Sequence, residues 1–383
     1  MKDKTNGKKR KSCLGTILKF LILLAIPLII LGVYLKFFRT PEKEEATPEK
    51  VVTDTEGEAS EEGEASDPDS ITFKVQKNEY DILVLGYDKT DNITNVVLVV
   101  NINDNDGTLR ILQIPADTYF NLNSESDSYD NKVSNIFAAR YDYYSAEGKK
   151  NGEATKKALE DTKNLLSDGL FVTINHAVLV DADGFGDIVD SSLEGVDVNI
   201  GEPITYFDAD RESEVTVPEG KQTLNGDTVK ALIMLYGSDG VDLDRIILQK
   251  NVINAFVGKV QTTMTNVIKL TAFVKEIVES LTTDMSMEEM LTFMTNMLKY
   301  GDMSTVTVTL PSQICGDSLV MNRAAALELI NRYFNTYDKE IPLKYFDQKG
   351  YFCDKADEEA VEIYSASPDD LTSDSGFVLD RVK

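Results

Sequence analysis

Apolar and polar residues follow strand-like and helix-like patterns through residues 71–383. Residues 80–85 (YDILVL) and 96–102 (VVLVVNI) are apolar runs of strand length, and residues 108–114 alternate more weakly. The segment DNDG at 104–107 is typical of a hairpin turn between the last two of these strands. Residues 172–180 and 306–310 have the pattern of further strands.

Helical periodicity marks residues 153–166, 227–235, 245–263 and 323–337. Ser286 and Glu289 have the spacing of a capping box, so another helix is expected to begin there. Residues 121–132 are polar and predict a loop. Because strands and helices alternate without an internal repeat, the pattern predicts an α/β fold with a mixed central sheet between helices.

An apolar stretch at residues 20–35 follows Lys19 and a group of six basic side chains at residues 2–11. It is long enough to cross a bilayer if Lys19 extends toward the interface. The basic residues predict a cytoplasmic tail at 1–12, a single N-terminal transmembrane helix at 13–38 and an extracellular position for the rest. A cleaved secretory signal is the alternative, but no small-residue cleavage site follows the apolar run.

The segment after this helix is acidic. Residues 40–70 contain twelve Asp and Glu and few large apolar side chains, so residues 39–70 are expected to form a disordered stalk. A folded domain is then predicted at 71–338, with a C-terminal extension at 339–383.

Composition excludes some classes of function. The chain has 39 Lys and Arg against 65 Asp and Glu, a net charge of −26, which argues against a nucleic-acid partner. One His and three Cys exclude a Cys/His zinc module and disfavour a histidine-centred mechanism. Cys315 and Cys353 can pair as a disulfide or stay as thiols, and the sequence leaves both open.

Five segments in order resemble the LytR–CpsA–Psr (LCP) family of membrane-anchored cell-envelope proteins. They are residues 81–88 (DILVLGYD), 112–118 (LQIPADT), 180–198 (VDADGFGDIVDSSLEGVDV), 220–226 (GKQTLNG) and 242–249 (DLDRIILQ). The resemblance implies a three-layer α/β/α domain whose hydrophobic pocket takes a polyprenyl chain. It also implies transfer of anionic glycopolymers from an undecaprenyl-pyrophosphate carrier to peptidoglycan.

The resemblance also implies a set of site residues. In active members, paired Asp side chains would hold Mg²⁺ and a cluster of Arg would stabilise the leaving phosphate. The retained catalytic positions are Asp88, Asp117 and Arg245, of which Asp88 is also the candidate metal ligand. Ligand contacts are expected from Lys89, Met234, Tyr236, Gln249 and Lys250. Other charged positions of the family are occupied here by Asn95, Ala116, Met234, Tyr236 and Leu248.

These replacements remove four Arg and one carboxylate. Loss of one donor to developing charge typically costs about 3–4 kcal/mol, so the sequence predicts a pseudoenzyme in which Mg²⁺ binding is doubtful. The favoured function is an anchored extracellular protein that binds a polyprenyl-linked or glycan ligand, or an envelope-assembly partner. A working phosphotransferase with Lys89, Arg110 or Lys250 as substitute cations is the alternative. Transcriptional control is less favoured, because the only basic segment is the short N-terminal tail.

Several of these residues also have structural interpretations. Asp88 fits a turn, Asp117 fits a cap of the turn after it, and Arg245 can pair with a neighbouring Asp. His176 is interpreted as a structural residue. The acidic cluster after the strand at 172–180 lacks the ending of a calcium loop, so its members are interpreted as turn and helix-start residues: Asp181, Asp183, Asp187 and Asp190.

Overall fold

The computed structural model describes residues 49–52, 71–76, 79–103, 107–122, 129–208, 212–234, 241–299, 304–346 and 378–381. They all lie in one compact unit of the chain, Glu49–Lys383. Within these ranges, no helix has the length and apolar character needed to cross a membrane. The predicted cytoplasmic tail, membrane helix and most of the acidic stalk fall on residues outside this description.

The described strands, in chain order, are β1 (Glu49–Val52), β2 (Ile71–Lys74), β3 (Glu79–Asp88), β4 (Ile93–Asn103), β5 (Thr108–Ile114), β6 (His176–Asp181), β7 (Val196–Ile200), β8 (Ile204–Asp208), β9 (Ser213–Val217), β10 (Gly220–Leu224), β11 (Leu281–Thr283), β12 (Ser304–Thr309), β13 (Ser312–Cys315), β14 (Ser318–Met321) and β15 (Val378–Arg381). The described α-helices are α1 (Ile136–Ala146), α2 (Asn151–Leu170), α3 (Ala182–Leu193), α4 (Gly226–Met234), α5 (Leu243–Thr263), α6 (Val267–Glu279), α7 (Met287–Lys299) and α8 (Arg323–Tyr333).

The largest sheet has six strands in the order β11-β6-β3-β4-β5-β12. Strand β4 is antiparallel to both β3 and β5, whereas β6 is parallel to β3 and β12 is parallel to β5. Strands β3, β5, β6 and β12 therefore run in one direction and end at the same edge of the sheet. We call this the carboxyl edge, and in open α/β sheets the crevice outside it is the usual place for a ligand.

Helices cover both faces of this sheet. Alternate residues of a strand point to opposite faces, so Leu83 and Leu85 pack with the apolar sides of α1, α2 and α8. On the other face, Leu98 and Ile111 pack with α3, α4, α5 and α6. The prediction of an α/β fold with a mixed central sheet between helices is confirmed.

The strongest sequence patterns gave the correct elements. Strands β3, β4 and β5 and helices α2, α4 and α5 occur where they were predicted, within a few residues. The capping box is confirmed: the Ser286 backbone N–H donates to Glu289 Oε2 over 2.7 Å, and the Glu289 N–H donates to Ser286 Oγ over 3.2 Å.

Other boundaries differ from the prediction. The strand expected from residue 172 begins only at His176, and the last described α-helix, α8, ends at Tyr333 rather than at residue 337. Helix α1 was not predicted, because its sequence IFAARYDYYSA places aromatic side chains around the helix without a single apolar stripe.

Candidate functional site

A buried cluster of three charged side chains lies at the carboxyl edge, just after β5. The Arg245 guanidinium donates through Nη2 to Asp117 Oδ2, and Lys132 Nζ lies 3.2 Å from Asp117 Oδ1. The exposed fraction of the side chain is 1% for Arg245, 8% for Lys132 and 2% for Asp117. We call these three residues the Asp117 cluster.

Backbone hydrogen bonds place Asp117 at this position. The Thr118 N–H donates to Pro115 O over 2.9 Å and closes the turn that follows β5. The Leu319 N–H, on β14, donates to Asp117 O over 2.9 Å. The turn is therefore fixed from two sides, and its carboxylate faces the start of α5.

Arg245 reaches the cluster from the first turn of α5. Asp242 caps that helix, because its Oδ1 accepts the Arg245 backbone N–H over 3.1 Å. The Arg245 guanidinium therefore binds Asp117, which is distant in the sequence. The acidic residue shortly before Arg245, Asp242, serves as the cap of the helix.

Lys132 was not among the predicted site residues. It lies in a segment that pairs with the turn after β5, since the Val133 N–H donates to Thr118 O over 2.8 Å and the Ser134 N–H donates to Ala116 O over 3.2 Å. The sequence contains no motif that marks this lysine. Only the pairing of two loops brings it to Asp117.

The positions expected to hold Mg²⁺ have other contacts. Asp88 Oδ1 accepts the N–H groups of Thr90 at 2.7 Å and Asp91 at 3.3 Å, so this carboxylate stabilises a turn. Asn95 is 2% exposed and lies at a bulge, where the pairing of β3 with β4 shifts register after Gly86. Its Nδ2 donates to Met234 O over 3.4 Å.

These donors do not fit a magnesium site. Mg²⁺ requires a near-octahedral set of oxygens with carboxylates among them, but Asn95 is neutral and Asp117 is bound by two cations. Across the described ranges, His, Cys, Asp and Glu form no group of three or more suited to a metal ion.

Three neutral amide side chains lie beside the Asp117 cluster. Gln249 Nε2 donates to Ile233 O over 2.5 Å and to Asn95 O over 3.4 Å. Gln113 Nε2 donates to Ile246 O over 3.1 Å, and its Oε1 accepts from Thr309 over 3.0 Å. We call Asn95, Gln113 and Gln249 the amide layer.

An apolar cavity of about 310 Å³ lies on the face of the sheet that packs with α3–α7. Its walls are hydrophobic side chains and one glycine, among them Val84, Leu98, Val178, Phe256, Val257 and Phe273. Gly86, Val96 and Met234 also line it. Val96 follows Asn95 in the chain and the Met234 carbonyl accepts from Asn95, so the amide layer adjoins this end of the cavity.

The structure separates the other predicted ligand residues. Lys89 is 69% exposed and pairs with Asp181, the residue that caps α3. Lys250 is buried on α5, and this burial lowers the pKa of its ammonium group. Ala116 is also buried, Leu248 packs at the edge of the core that contains the cavity, and Tyr236 lies outside the described residues.

The remaining sequence interpretations have these outcomes. Asp181 Oδ1 accepts the Asp183 N–H over 3.1 Å, which confirms its role as a helix-start residue. His176 Nδ1 lies 3.4 Å from Asp284 Oδ1, away from the Asp117 cluster. Arg110 is the third residue of β5, and its Nη1 donates to Tyr333 O over 3.2 Å, so its guanidinium lies at the end of α8 and not in the Asp117 cluster. Cys353 lies outside the described residues, and its pairing with Cys315 stays open.

Comparisons with known proteins agree with one another. A family model described as the LytR_cpsA_psr family matches residues 47–335. The cell wall biosynthesis protein LcpA of Corynebacterium glutamicum is 26% identical over 262 residues, which cover 65% of this chain and 48% of that protein. The polyisoprenyl-teichoic acid–peptidoglycan teichoic acid transferase TagV of Bacillus subtilis is 24% identical over 224 residues, or 56% of this chain and 52% of that protein.

The chain spans about half the length of these two curated relatives. Among solved structures, protein gbs0355 from Streptococcus agalactiae superposes with a TM-score of 0.55 at 14% identity, over 76% of this chain and 97% of that one. At this level of identity the match concerns the fold alone.

Proposed function

Because the chain belongs to the LytR-CpsA-Psr family, we propose that it is a cell-envelope protein that binds a polyprenyl-linked or glycan ligand, or an envelope-assembly partner, without transferring it. The name of its relative LcpA, a cell wall biosynthesis protein, supports a place in the envelope.

The apolar cavity is the observation that carries this proposal. Its volume of about 310 Å³ is at the lower end of the range of ligand pockets, about 300–1,000 Å³. An entirely apolar wall favours a hydrocarbon chain over a sugar, since sugar hydroxyls would lose their hydrogen bonds there. The cavity therefore supports binding of the lipid part of a polyprenyl-linked ligand.

The charges around Asp117 support binding without transfer. Phosphoryl or glycosyl phosphate transfer requires cations that are aimed at developing negative charge. Arg245 and Lys132 are instead buried against Asp117, and Asn95 stands where the resemblance places a second metal-binding Asp.

An assay of turnover tests this proposal. The full-length protein, given Mg²⁺ and an undecaprenyl-diphosphate-linked oligosaccharide, is expected to release no polyprenyl phosphate. TagV, assayed in parallel, is the active comparison. Turnover that Asp88→Ala abolishes would show that the chain is an enzyme.

A working phosphotransferase is the second candidate, because Lys132 adds a cation beside Asp117 that compensates in part for the missing arginines. This candidate predicts Mg²⁺-dependent turnover, with large losses in Arg245→Lys. Arg245→Lys keeps the positive charge, so a loss of turnover would result from the missing guanidinium N–H donors.

The membrane anchor belongs to the same proposal. The apolar stretch at residues 20–35 and the basic residues before it support a single-pass protein whose N-terminus is cytoplasmic and whose folded domain is extracellular.

A further inference from the structure

We infer that the edge of β13 that faces away from β14 is a docking site for an extended peptide strand. Strand β15, near the C-terminus of this same chain, occupies the site, and its presence holds the Asp117 cluster in place. The inference goes beyond the proposed function, because it does not depend on what the cavity binds. It follows from the strand pairing on the two sides of β13.

Strand β15 pairs in parallel with β13, and the three strands lie in the order β14-β13-β15. In this pairing Ser312 lies opposite Val378, and Ile314 lies opposite Arg381. Parallel neighbours require a crossover of roughly a dozen residues or more. Residues 316–377, which include β14 and α8, separate the two strands, so the chain is long enough to place its own C-terminal strand on β13.

This pairing is short and irregular. Strand β15 has four residues, and its register with β13 shifts between Ser312 and Ile314. A short strand with an interrupted ladder separates at a lower free energy than the strands of a core. Once β15 leaves, β13 would present the main-chain groups that β15 now binds, and such an edge is a template for another extended segment.

The other side of β13 leads to the Asp117 cluster. Ile314 pairs with Leu319 of β14. The Leu319 N–H donates to Asp117 O over 2.9 Å, and the Tyr119 N–H donates to Leu319 O over 2.6 Å. Main-chain hydrogen bonds therefore connect β15, through β13 and β14, to the turn that carries Asp117.

Packing provides a second connection. Leu319 and Ile246 are buried in one small apolar cluster, and Ile314 packs against it. Ile246 follows Arg245 in the first turn of α5. Ile314 of β13 therefore lies opposite β15 and packs near the start of α5. Loss of β15 would loosen the supports of both Asp117 and Arg245.

Hydrogen–deuterium exchange of the full-length protein in detergent tests the inference, because main-chain hydrogen bonds slow the exchange of amide protons. In the wild-type protein, residues 378–381 should exchange slower by roughly tenfold or more than in a synthetic peptide of residues 375–383. Exchange as fast as in the peptide would show that β15 does not occupy the edge, and would overturn the inference.

The double variant Leu379→Pro, Asp380→Pro should release the strand. Successive N–H groups of a strand point to opposite sides, so one of the two prolines removes a hydrogen bond to β13. Residues 116–120 should then exchange faster by roughly tenfold. Strands β7 and β10, which form a separate sheet, should not change, and an equal increase there would contradict a local link to the Asp117 cluster.

The double variant Leu379→Val, Asp380→Thr is the matched control. It keeps both N–H groups, and its β-branched side chains favour a strand, so it should exchange like the wild-type protein. Faster exchange of residues 116–120 in this control would contradict the role of main-chain pairing.

A fluorescent peptide of residues 375–383 tests whether the edge accepts a strand from outside. Anisotropy should show binding to the proline variant that is tighter by roughly tenfold or more than binding to the wild-type protein, where β15 competes from within the same chain. A peptide with the same two prolines should bind neither protein. Equal binding of the unmodified peptide to both proteins, or to neither, would overturn the docking site.

Discussion

Asp117, Arg245 and Lys132 form a buried ionic cluster that links three separate parts of the chain. Taking charges out of water is unfavourable, and the cluster offsets this through close contacts between opposite charges. Because two cations share one carboxylate, removal of Asp117 leaves both cations buried without that compensation. At the scale of single residues, the stability of the fold and the proposed site therefore depend on the same three side chains.

Replacement of Asp117 by Asn should destabilise the fold, because Arg245 and Lys132 would stay buried without the carboxylate that they share. Loss of such a partner typically costs about 3–5 kcal/mol in the free energy of unfolding. Urea denaturation followed by circular dichroism measures the change. Lys89→Met is the control, because the Lys89 side chain is 69% exposed and its pair with Asp181 should contribute no more than about 1 kcal/mol. Equal effects in the two variants would contradict the structural role of Asp117.

Helices α3 and α4 approach each other through two glycines. A Cβ atom added to Gly226 would lie 2.1 Å from Gly186 O, which is main chain and cannot turn aside. Asp190 Oδ1 also accepts the Gly226 N–H over 2.7 Å. Both helices line the cavity, so their separation sets the position of one of its walls.

Gly226→Ala should therefore lower stability by about 1–3 kcal/mol, the usual range for overpacking. Gly258→Ala on α5 should instead raise stability. No atom lies within 4 Å of its added Cβ, and Ala in a helix is favoured over Gly by about 0.5–1 kcal/mol. Thermal denaturation of the two variants in parallel checks the prediction, and a stabilised Gly226→Ala protein would contradict the close contact.

Asp284 ties the segment after β11 to the rest of the sheet. Burial acts to raise its pKa, but the His176 ring, Lys163 Nζ at 2.7 Å and the Ala177 N–H at 2.9 Å outweigh burial and lower it. Leu281 of β11 and Met290 of α7 line the cavity, so the contacts of Asp284 position one wall of the cavity.

A carboxylate with a lowered pKa stabilises the fold above its unfolded pKa, near 3.8, and loses that contribution as the pH falls through the folded value. Asp284→Asn should therefore lower stability by about 1 kcal/mol at pH 7, because Asp284 is partly exposed and solvent screens its contacts. The difference from wild type should begin to shrink below pH 3.8 and should disappear as the pH falls through the lowered pKa of the folded state. Urea midpoints of both proteins at pH 7, 4 and 2.5 measure it, and a constant difference would contradict the assignment.

At the scale of the whole molecule, the sequence predicts a membrane-spanning helix with a cytoplasmic N-terminus and an extracellular folded domain. An epitope tag before residue 2 should be protected from protease in intact cells, and a tag after residue 383 should be cleaved. Protein released into the medium without its N-terminal tag would favour the alternative of a cleaved signal.

Much of the architecture could be predicted because it depends on local patterns. Apolar runs of strand length identified β3 and β4, and the capping box identified the start of α7, since each signal lies within a few residues. Helix α1 and the hairpin of β13 with β14 were missed, because their sequences have no single period and their burial comes from distant elements.

The site was predicted only in part. Family motifs led to Asp88, Asp117 and Arg245, but they did not show that Asp117 would be bound by two cations. Lys132 was missed because a lysine in a polar loop resembles any surface lysine. Its burial depends on hydrogen bonds between residues 116–118 and 133–134, which no local pattern encodes.

The sequence by itself therefore determined the most strongly patterned strands and helices, the family and the shortage of arginines, because these are properties of residues close together in the chain or of simple counts. Only the tertiary structure decided that Arg245 and Lys132 share the buried carboxylate of Asp117 and that an apolar cavity adjoins neutral amides. Those features depend on distances between residues far apart in the chain, and electrostatic and packing energies are set by such distances.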